Sequence, residues 1–445
     1  QALLLTARAY RMMREYDKAA DAYAQYGLAY PDSRLASETL YVASHLYDAV
    51  EDSARARDVR TRLASHYPNT YHGRRASLDL ARASLRRRDY DDAVAILKRS
   101  VQRSSTPQED VLYYLARAYE GMGMDSLEAA VLDRLREVDP RSFYIAPVLE
   151  PRYGLPALSS NGRVELVGNN GLLVLLKTLD ERRRDSYRLI EEAIQNRPQN
   201  SRSVESSASY ERAKLFIADG FLDWGAREAE AAFETLKRQP AALFALGKLC
   251  DEHALAWHSA RAFDTLRLIL SSGQNPLPKE VFDVFLYPVP FPGMIIEQCI
   301  RYKLPPHLAY AIIREESRFD VNAVSGAGAM GLMQIMPETG ENVAVELGYP
   351  LRSVDLLLKP EINIAFGMSY AAHLLEECGG NEYMMLSAYN AGLGNARRWF
   401  VRTGEDASIQ EQVDTIDYRE TRAYVQRIIE SSHVYASYFS RQANL

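Results

Sequence analysis

The stretch SGAGAMGLMQIMP, Ser325–Pro337, sets Gly326, Gly328 and Gly331 in the spacing G-x-G-x-x-G. Behind a β-strand and ahead of a helix, that spacing is a dinucleotide-binding fingerprint and the fold is α/β. Here the preceding residues are PPHLAYAIIREESRF, in which Leu308, Ile312 and Phe319 recur at helical spacing. Pro305 and Pro306 suit the start of that helix. A helix in place of the strand removes the phosphate reading. It points to an all-α chain whose glycines have another use.

The rest of the sequence agrees with an α-rich reading. A chain of 445 residues has material for two or three domains with real cores. Its net charge of −6 sits at the C-terminal end, since Tyr287–Leu445 carries 13 Lys+Arg against 19 Asp+Glu. An acidic module repels phosphate backbones, so nucleic acid is excluded as its partner, although local basic patches remain open elsewhere. The three widely spaced cysteines, Cys250, Cys299 and Cys378, form no disulfide framework. The most apolar run, GLLVLLKTL at Gly171–Leu179, is far short of the ~20 residues that cross a bilayer. It is expected to be a buried helix or strand, and no transmembrane segment is expected. Because the sequence begins at Gln1, a trimmed signal or anchor is compatible with it.

Repeats organise the first third. In AYRMMREYDKAADAYAQYGLAYPDS, residues Tyr10, Tyr16, Ala19, Tyr23 and Pro31 fall where a tetratricopeptide-like helical hairpin places its packing residues and its closing proline. Tyr47, Ala56 and Pro68 repeat part of the pattern 37 residues later (68 − 31). Leu115, Tyr119, Gly123 and Pro140 restate it after a degenerate copy marked by Ala81, Tyr90 and Ala93. Such hairpins bury their apolar faces by stacking, which gives a solenoid with a concave surface. By itself that surface reads as a scaffold or protein-docking arm.

A joint rich in proline and glycine is expected at Pro140–Gly162 and a polar loop at QNRPQNSRSVESSAS, Gln195–Ser209. Helical periodicity then runs to about Ser272, and NPLPKEVFDVFLYPVPFPG, Asn275–Gly293, reads as a linker. The expected division is 1–150 for the repeats, 151–280 for a further helical layer and 281–445 for a last domain. In CDEHALAWH, Cys250, His253 and His258 suggest metal ligands, but steps of three and five do not share a helix face, and a packed helix is expected.

The chemistry concentrates in the last domain. Glu315 and Glu316 both lie within the arc of Leu304, Leu308, Ile312 and Phe319, so projection does not choose between them. A carboxyl on an apolar arc keeps its proton near neutrality, as a general acid must. Downstream come Met333, Gln334, Met336 and Thr339, then Tyr389 and Asn390, then Glu420 and Tyr424. Apolar walls, aromatic rings and a few polar groups suit a carbohydrate groove.

This ordered set resembles the soluble lytic transglycosylases. The resemblance covers ~150 residues from about Tyr287 through Glu316-Ser317, Gly331-Leu332-Met333-Gln334, Ala388-Tyr389-Asn390-Ala391-Gly392 and Glu420-Thr421-Arg422. The N-terminal helices are similar, more loosely, to that family's superhelical region. The resemblance implies a mainly all-α chain, a tetratricopeptide-like solenoid followed by a lysozyme-like catalytic domain. It makes Glu316 the catalytic acid and Glu315 its surface neighbour, and it brings the backbone of the glycine loop close to the sugar. It implies substrate contacts from Ser317, Ser325, Gln334, Met336, Thr339, Tyr370, Tyr389, Asn390, Glu420 and Tyr424. Leu393 and Asp417 stand where the family often has proline.

The resemblance further implies cleavage of peptidoglycan between N-acetylmuramic acid and N-acetylglucosamine without metal or organic cofactor. Glu316 would protonate the glycosidic oxygen and then, as a carboxylate, deprotonate the muramoyl C6 hydroxyl that attacks C1. The implied location is the periplasm or cell envelope, with glycan strands as partner and cell-wall proteins on the solenoid. The rivals are a hydrolytic lysozyme, in which Asp320 or Glu420 positions water, and a non-catalytic glycan- or protein-binding scaffold.

Overall fold

A computed structural model describes residues 2–103, 108–139, 142–145, 169–197, 207–271, 276–403 and 407–440. Most of the expected joint at 140–162 and most of the polar loop fall outside these residues. The chain divides into two compact units, Gln1–Val148 and Leu149–Leu445. Among the described residues the regular structure is helical, and β pairing is confined to two isolated bridges. No helix among them is long and apolar enough to cross a membrane.

Among the described residues the first unit holds eight helices: α1 (Ala2–Met12), α2 (Tyr16–Ala29), α3 (Ala36–Ala49), α4 (Ser53–His66), α5 (Tyr71–Arg86), α6 (Tyr90–Arg103), α7 (Glu109–Gly121) and α8 (Asp125–Val138). Each packs on the next, as stacked hairpins require. The repeat residues Ala19, Tyr23, Tyr47, Ala56, Ala81, Ala93, Leu115 and Tyr119 are buried, whereas Tyr16 stays 37% exposed. Close approach depends on small residues: a Cβ on Gly27 would lie 2.5 Å from Leu40 Cγ. Polar ties reinforce the stack, since Tyr47 donates to Asp21 at 2.7 Å and Arg55 bridges Asp17 and Asp21 at 2.6 and 2.8 Å.

Among the described residues the second unit opens with α9 (Asn169–Gln195), α10 (Ala208–Ala218), α11 (Leu222–Leu236), α12 (Pro240–Glu252) and α13 (Ala256–Leu270). GLLVLLKTL is helical, but only one side of it is buried: Leu175 and Leu179 are inside, while Leu173 is 65% exposed. A single amphipathic helix buries only the stripe that faces its neighbours. Cys250 is buried and His253 exposed, and no set of metal-ligating side chains converges among the described residues. The proline-rich linker is more structured than its composition suggests. It forms a 3-10 turn, Lys279–Phe282, and α14 (Asp283–Leu286), with Phe282 and Phe285 fully buried. Phe285 stacks on Phe263 at 3.8 Å, a contact worth about 0.5–1.5 kcal/mol beyond its buried area, so the linker is sealed onto the helical layer.

The remaining helices are α15 (Pro292–Tyr302), α16 (Pro306–Ser317), α17 (Pro337–Glu346), α18 (Pro360–Glu377), α19 (Glu382–Ala391), α20 (Leu393–Phe400), α21 (Ile409–Asp414) and α22 (Arg419–Ser440). Pro306 opens α16 at a position whose N–H has no helical partner to lose. The long α22 packs along α16 and brings the fourth motif beside the first.

Candidate active site

Glu316 lies in the last turn of α16, which buries Leu308, Ala309, Tyr310, Ile312 and Ile313. The helix stops because Arg318 and Phe319 take left-handed backbone angles, φ 51° and 67°. Two successive non-glycine residues there are costly, and a specific lock offsets the cost. Ser317 Oγ donates to Leu332 O at 2.8 Å and accepts from the Phe319 N–H at 3.1 Å. Ser317, implied as a substrate contact, thus ties the end of α16 to the glycine segment.

The two glutamates part company in their partners. Glu315 takes Arg427 at 2.6 Å and its side chain is only 14% exposed, so the implied surface neighbour is a tethered ion pair. Glu316 instead accepts the Tyr424 hydroxyl at 2.5 Å. Burial pushes its carboxyl up to about 7 against the Tyr424 bond, which pulls it down, and the nearby Glu315 charge adds to the rise. Tyr389 and Tyr424 are pushed well above the usual phenol range, first by burial and then by the Glu316 charge. A raised carboxyl alone does not mark the site: burial also takes Glu382, in the first turn of α19, to about 7. Glu316 differs in having two phenols within its field.

The glycine segment folds back as a small hairpin. Ser325 N–H donates to Ala329 O at 2.9 Å, Gly328 N–H to Ser325 O at 2.9 Å, and Ala329 N–H to Ser325 Oγ at 3.0 Å. Of the three fingerprint glycines, Gly331 is the one demanded by packing. Its φ is +74°, and a Cβ there would sit 2.4 Å from both Asn363 Nδ2 and Leu357 O. Space around Gly326 and Gly328 is open. Asn363, which sequence reasoning missed, is fully buried in α18. It donates to Met330 O at 2.8 Å and Leu357 O at 2.6 Å and accepts from the Met333 N–H at 2.7 Å. The available signal was an amide between Ile362 and Ile364 in an otherwise apolar stretch.

The other implied residues divide between bonded and exposed positions. Gln334, at φ 47°, gives its side-chain N–H groups to Gly331 O and Ala323 O at 2.9 and 3.1 Å. Tyr389 donates to Met333 O at 2.8 Å and sets its ring 5.4 Å from Tyr370. Asn390 Oδ1 accepts from Thr421 at 2.7 Å, joining the third motif to the fourth. Thr339 is half-buried in the first turn of α17, Met336 is 42% exposed, and Ser325 and Glu420 are exposed. Met333, read as part of an apolar wall, is fully buried in the core. Leu393 begins α20 directly after Gly392, whose φ is +85°. Asp417 accepts from Trp399 Nε1 at 3.1 Å and pairs with Arg402 at 3.0 Å, a polar tie where a proline would have supplied stiffness.

Residues just beyond Glu316 rest on the helical layer of the same unit. Asn322 donates to Asp223 at 3.0 Å, and the Arg318 guanidinium lies 4.8 Å from the centre of the Trp257 ring.

Comparison with known proteins gives the geometry a family. Residues 293–412 match the profile described as Transglycosylase SLT domain, and residues 1–33 and 110–142 match Tetratricopeptide repeat. The soluble lytic murein transglycosylase of Escherichia coli K12 is 36% identical over 138 residues, 31% of this chain and 21% of the relative. Membrane-bound lytic murein transglycosylase C of Sodalis glossinidius is 27% identical over 198 residues, 39% of this chain and 54% of the relative. The chain therefore aligns with about a fifth of the first relative's length and half of the second's. Among solved structures, an inactive mutant of lytic transglycosylase Slt from Pseudomonas aeruginosa superposes with a TM-score of 0.65 at 20% identity, covering 100% of this chain and 67% of that one. The 70 kDa soluble lytic transglycosylase of Escherichia coli gives 0.61 at 19% identity, over 95% of this chain and 62% of that one. Residues 293–412 thus match the transglycosylase SLT domain, on a chain similar in fold to the soluble lytic transglycosylases.

Proposed function

We propose that the chain is a lytic transglycosylase that cuts the β-1,4 bond between N-acetylmuramic acid and N-acetylglucosamine in peptidoglycan. The carrying observation is the environment of Glu316: a carboxyl raised to about 7 and held by Tyr424 at 2.5 Å. A protonated acid at neutral pH can donate to the glycosidic oxygen as the C1–O bond breaks. Positive charge develops at C1, and the substrate's N-acetyl oxygen can carry it as an oxazolinium. The Glu316 carboxylate then takes the C6 hydroxyl proton as O6 bonds to C1, the oxazolinium C1–O bond breaks to regenerate the N-acetyl group, and the acid is restored. No water enters, and the product is a 1,6-anhydromuramoyl end. The buried Tyr424 holds Glu316, and Tyr389, tied to Met333 O, feels the Glu316 charge, a setting in which the carboxyl's proton affinity matches the task.

For the groove we propose contacts from Ser325, Gln334, Met336, Thr339, Tyr370, Asn390 and Glu420, with Ser317 acting through the loop it holds. A hydrolytic route needs a carboxylate across the scissile bond to position water. Asp320 and Glu420 are the residues that would have to play that part, and analysis of the new muramoyl ends separates the two routes. We further propose the segments 1–150, 151–280 and 281–445 as domains, a periplasmic or envelope location, glycan strands as substrate and cell-wall proteins as partners. The test is Glu316→Gln against purified peptidoglycan. Retained sedimentation with the polymer and loss of soluble fragments is expected; release at a rate comparable to the parent protein overturns the assignment.

A further inference from the structure

Within the first unit, α4, α5 and α6 enclose a cavity of about 280 Å³. It lies in the most basic part of an acidic protein. Residues 53–103 carry 13 Lys+Arg and 5 Asp+Glu, a net of 13 − 5 = +8, against −6 for the whole chain. Three guanidinium groups reach the cavity, Arg57 from α4, Arg74 from α5 and Arg99 from α6, and Asp92 is the one carboxylate that lines it. Asp92 is engaged already, accepting from Ser84 at 2.7 Å and lying 3.4 Å from Arg57. Arg74 bonds the Asn69 carbonyl at 2.7 Å and Arg99 the Ala95 carbonyl at 3.0 Å. Each guanidinium has five N–H donors, so these bonds leave most of them for a ligand.

We propose that this cavity binds the end of a peptide that terminates in a free carboxylate. Charge decides the sign of the ligand: three cations against one committed carboxylate favour an anion. Shape decides its kind. Guanidinium groups match a planar carboxylate through paired, parallel hydrogen bonds. The Thr61 and Ser77 hydroxyls donate to Arg57 O and Gly73 O at 2.8 and 3.1 Å and so serve as acceptors for a peptide N–H, while Leu80 and Ile96 supply an apolar wall suited to a small side chain next to the carboxylate. The volume is at the lower limit of ~300–1,000 Å³ for small-ligand sites, which fits a chain end rather than a polymer backbone. Two sources share this chemistry: peptide stems of the cell wall, if the proposed substrate is right, and C-termini of partner proteins. The cavity is built without any residue of the Glu316 site, so the proposal stands or falls apart from the proposed reaction.

The test is calorimetric titration of the full chain with acetyl-Lys-D-Ala-D-Ala, its all-L isomer, and the C-terminal amide of each. At least one free acid is expected to bind with a sub-millimolar Kd and its amide at least tenfold more weakly. Preference for the D,D acid assigns the site to stem peptides, and preference for the L,L acid to protein C-termini. The double variant Arg74→Gln, Arg99→Gln is expected to weaken the acid at least tenfold at an unchanged melting temperature. The acid–amide comparison needs no variant and decides the matter if that one fails to fold. Equal binding of acid and amide, binding of neither acid, tighter binding of inorganic phosphate, or a folded double variant of unchanged affinity each overturns the proposal.

Discussion

Replacing Glu316 by glutamine should change how stability depends on pH, by an amount set by its burial. In the unfolded chain the carboxyl ionises around 4.5, while in the folded protein it holds its proton to about 7. Between those values the unfolded state loses a proton that the folded state keeps. The folded state is therefore progressively disfavoured as pH rises from 4.5 to 7, and the loss is complete above 7. The interval of 7 − 4.5 corresponds to about 3 kcal/mol at ~1.4 kcal/mol per pH unit. Glutamine has no proton to lose, and its side-chain oxygen can still accept from Tyr424. The stability of the Glu316→Gln protein minus that of the parent should thus rise by about 3 kcal/mol from pH 4.5 to 8. Groups not coupled to Glu316, the raised Glu382 included, cancel in that difference. Urea melts followed by tryptophan fluorescence read the right unit, since Trp224, Trp257 and Trp399 all lie in Leu149–Leu445. A difference that stays flat within about 0.5 kcal/mol, the scatter of neutral substitutions, would refute the claim that burial holds this proton.

Glu315→Gln should retain most turnover, because Glu315 is committed to Arg427; a loss matching that of Glu316→Gln would remove the distinction between them. Asn363→Leu should lower stability by about 2–4 kcal/mol by stranding two buried backbone groups, the Met333 N–H and Leu357 O, while Met330 O keeps the Ile335 N–H, and urea melts would expose an error if the change were below ~1 kcal/mol. A fragment from Tyr287 to Leu445 should fold and cut short soluble glycans, more slowly than the full chain for want of the Asp223 and Trp257 contacts. A folded but inert fragment would make the helical layer part of the site, and circular dichroism with a turnover assay separates the cases.

The elements readable from sequence were those in which local and tertiary preferences coincide. Pro305 and Pro306 opened α16, and the repeat spacing of alanines and tyrosines gave the hairpins, because most of those positions are both helical and inward-facing, Tyr16 excepted. The linker misled because prolines mark breaks in helices but say nothing about burial, and Phe282 and Phe285 filled the adjacent core. Periodicity could not separate Glu315 from Glu316, which share one arc. What separates them is a contact made from more than 100 positions away, Arg427 for one and Tyr424 for the other. Asn363 was hidden for the same reason, since its bonds reach Met330 and Met333 across 33 and 30 positions. In α5 the buried Arg75 and Arg82 lie 3.7 and 3.8 Å from the half-buried Asp79, a charge cluster that helical periodicity does not mark.

The proposed reaction has one residue serving as acid and then base, with the nucleophile supplied by the substrate. Mass spectrometry of the fragments released from purified peptidoglycan, before and after borohydride reduction, tests that directly. New muramoyl ends should be lighter than reducing ends by one water and should resist borohydride, because the C6 oxygen held beside C1 outcompetes solvent. Fragments whose new muramoyl ends are nearly all reducible would contradict it and make the protein a hydrolase that positions water.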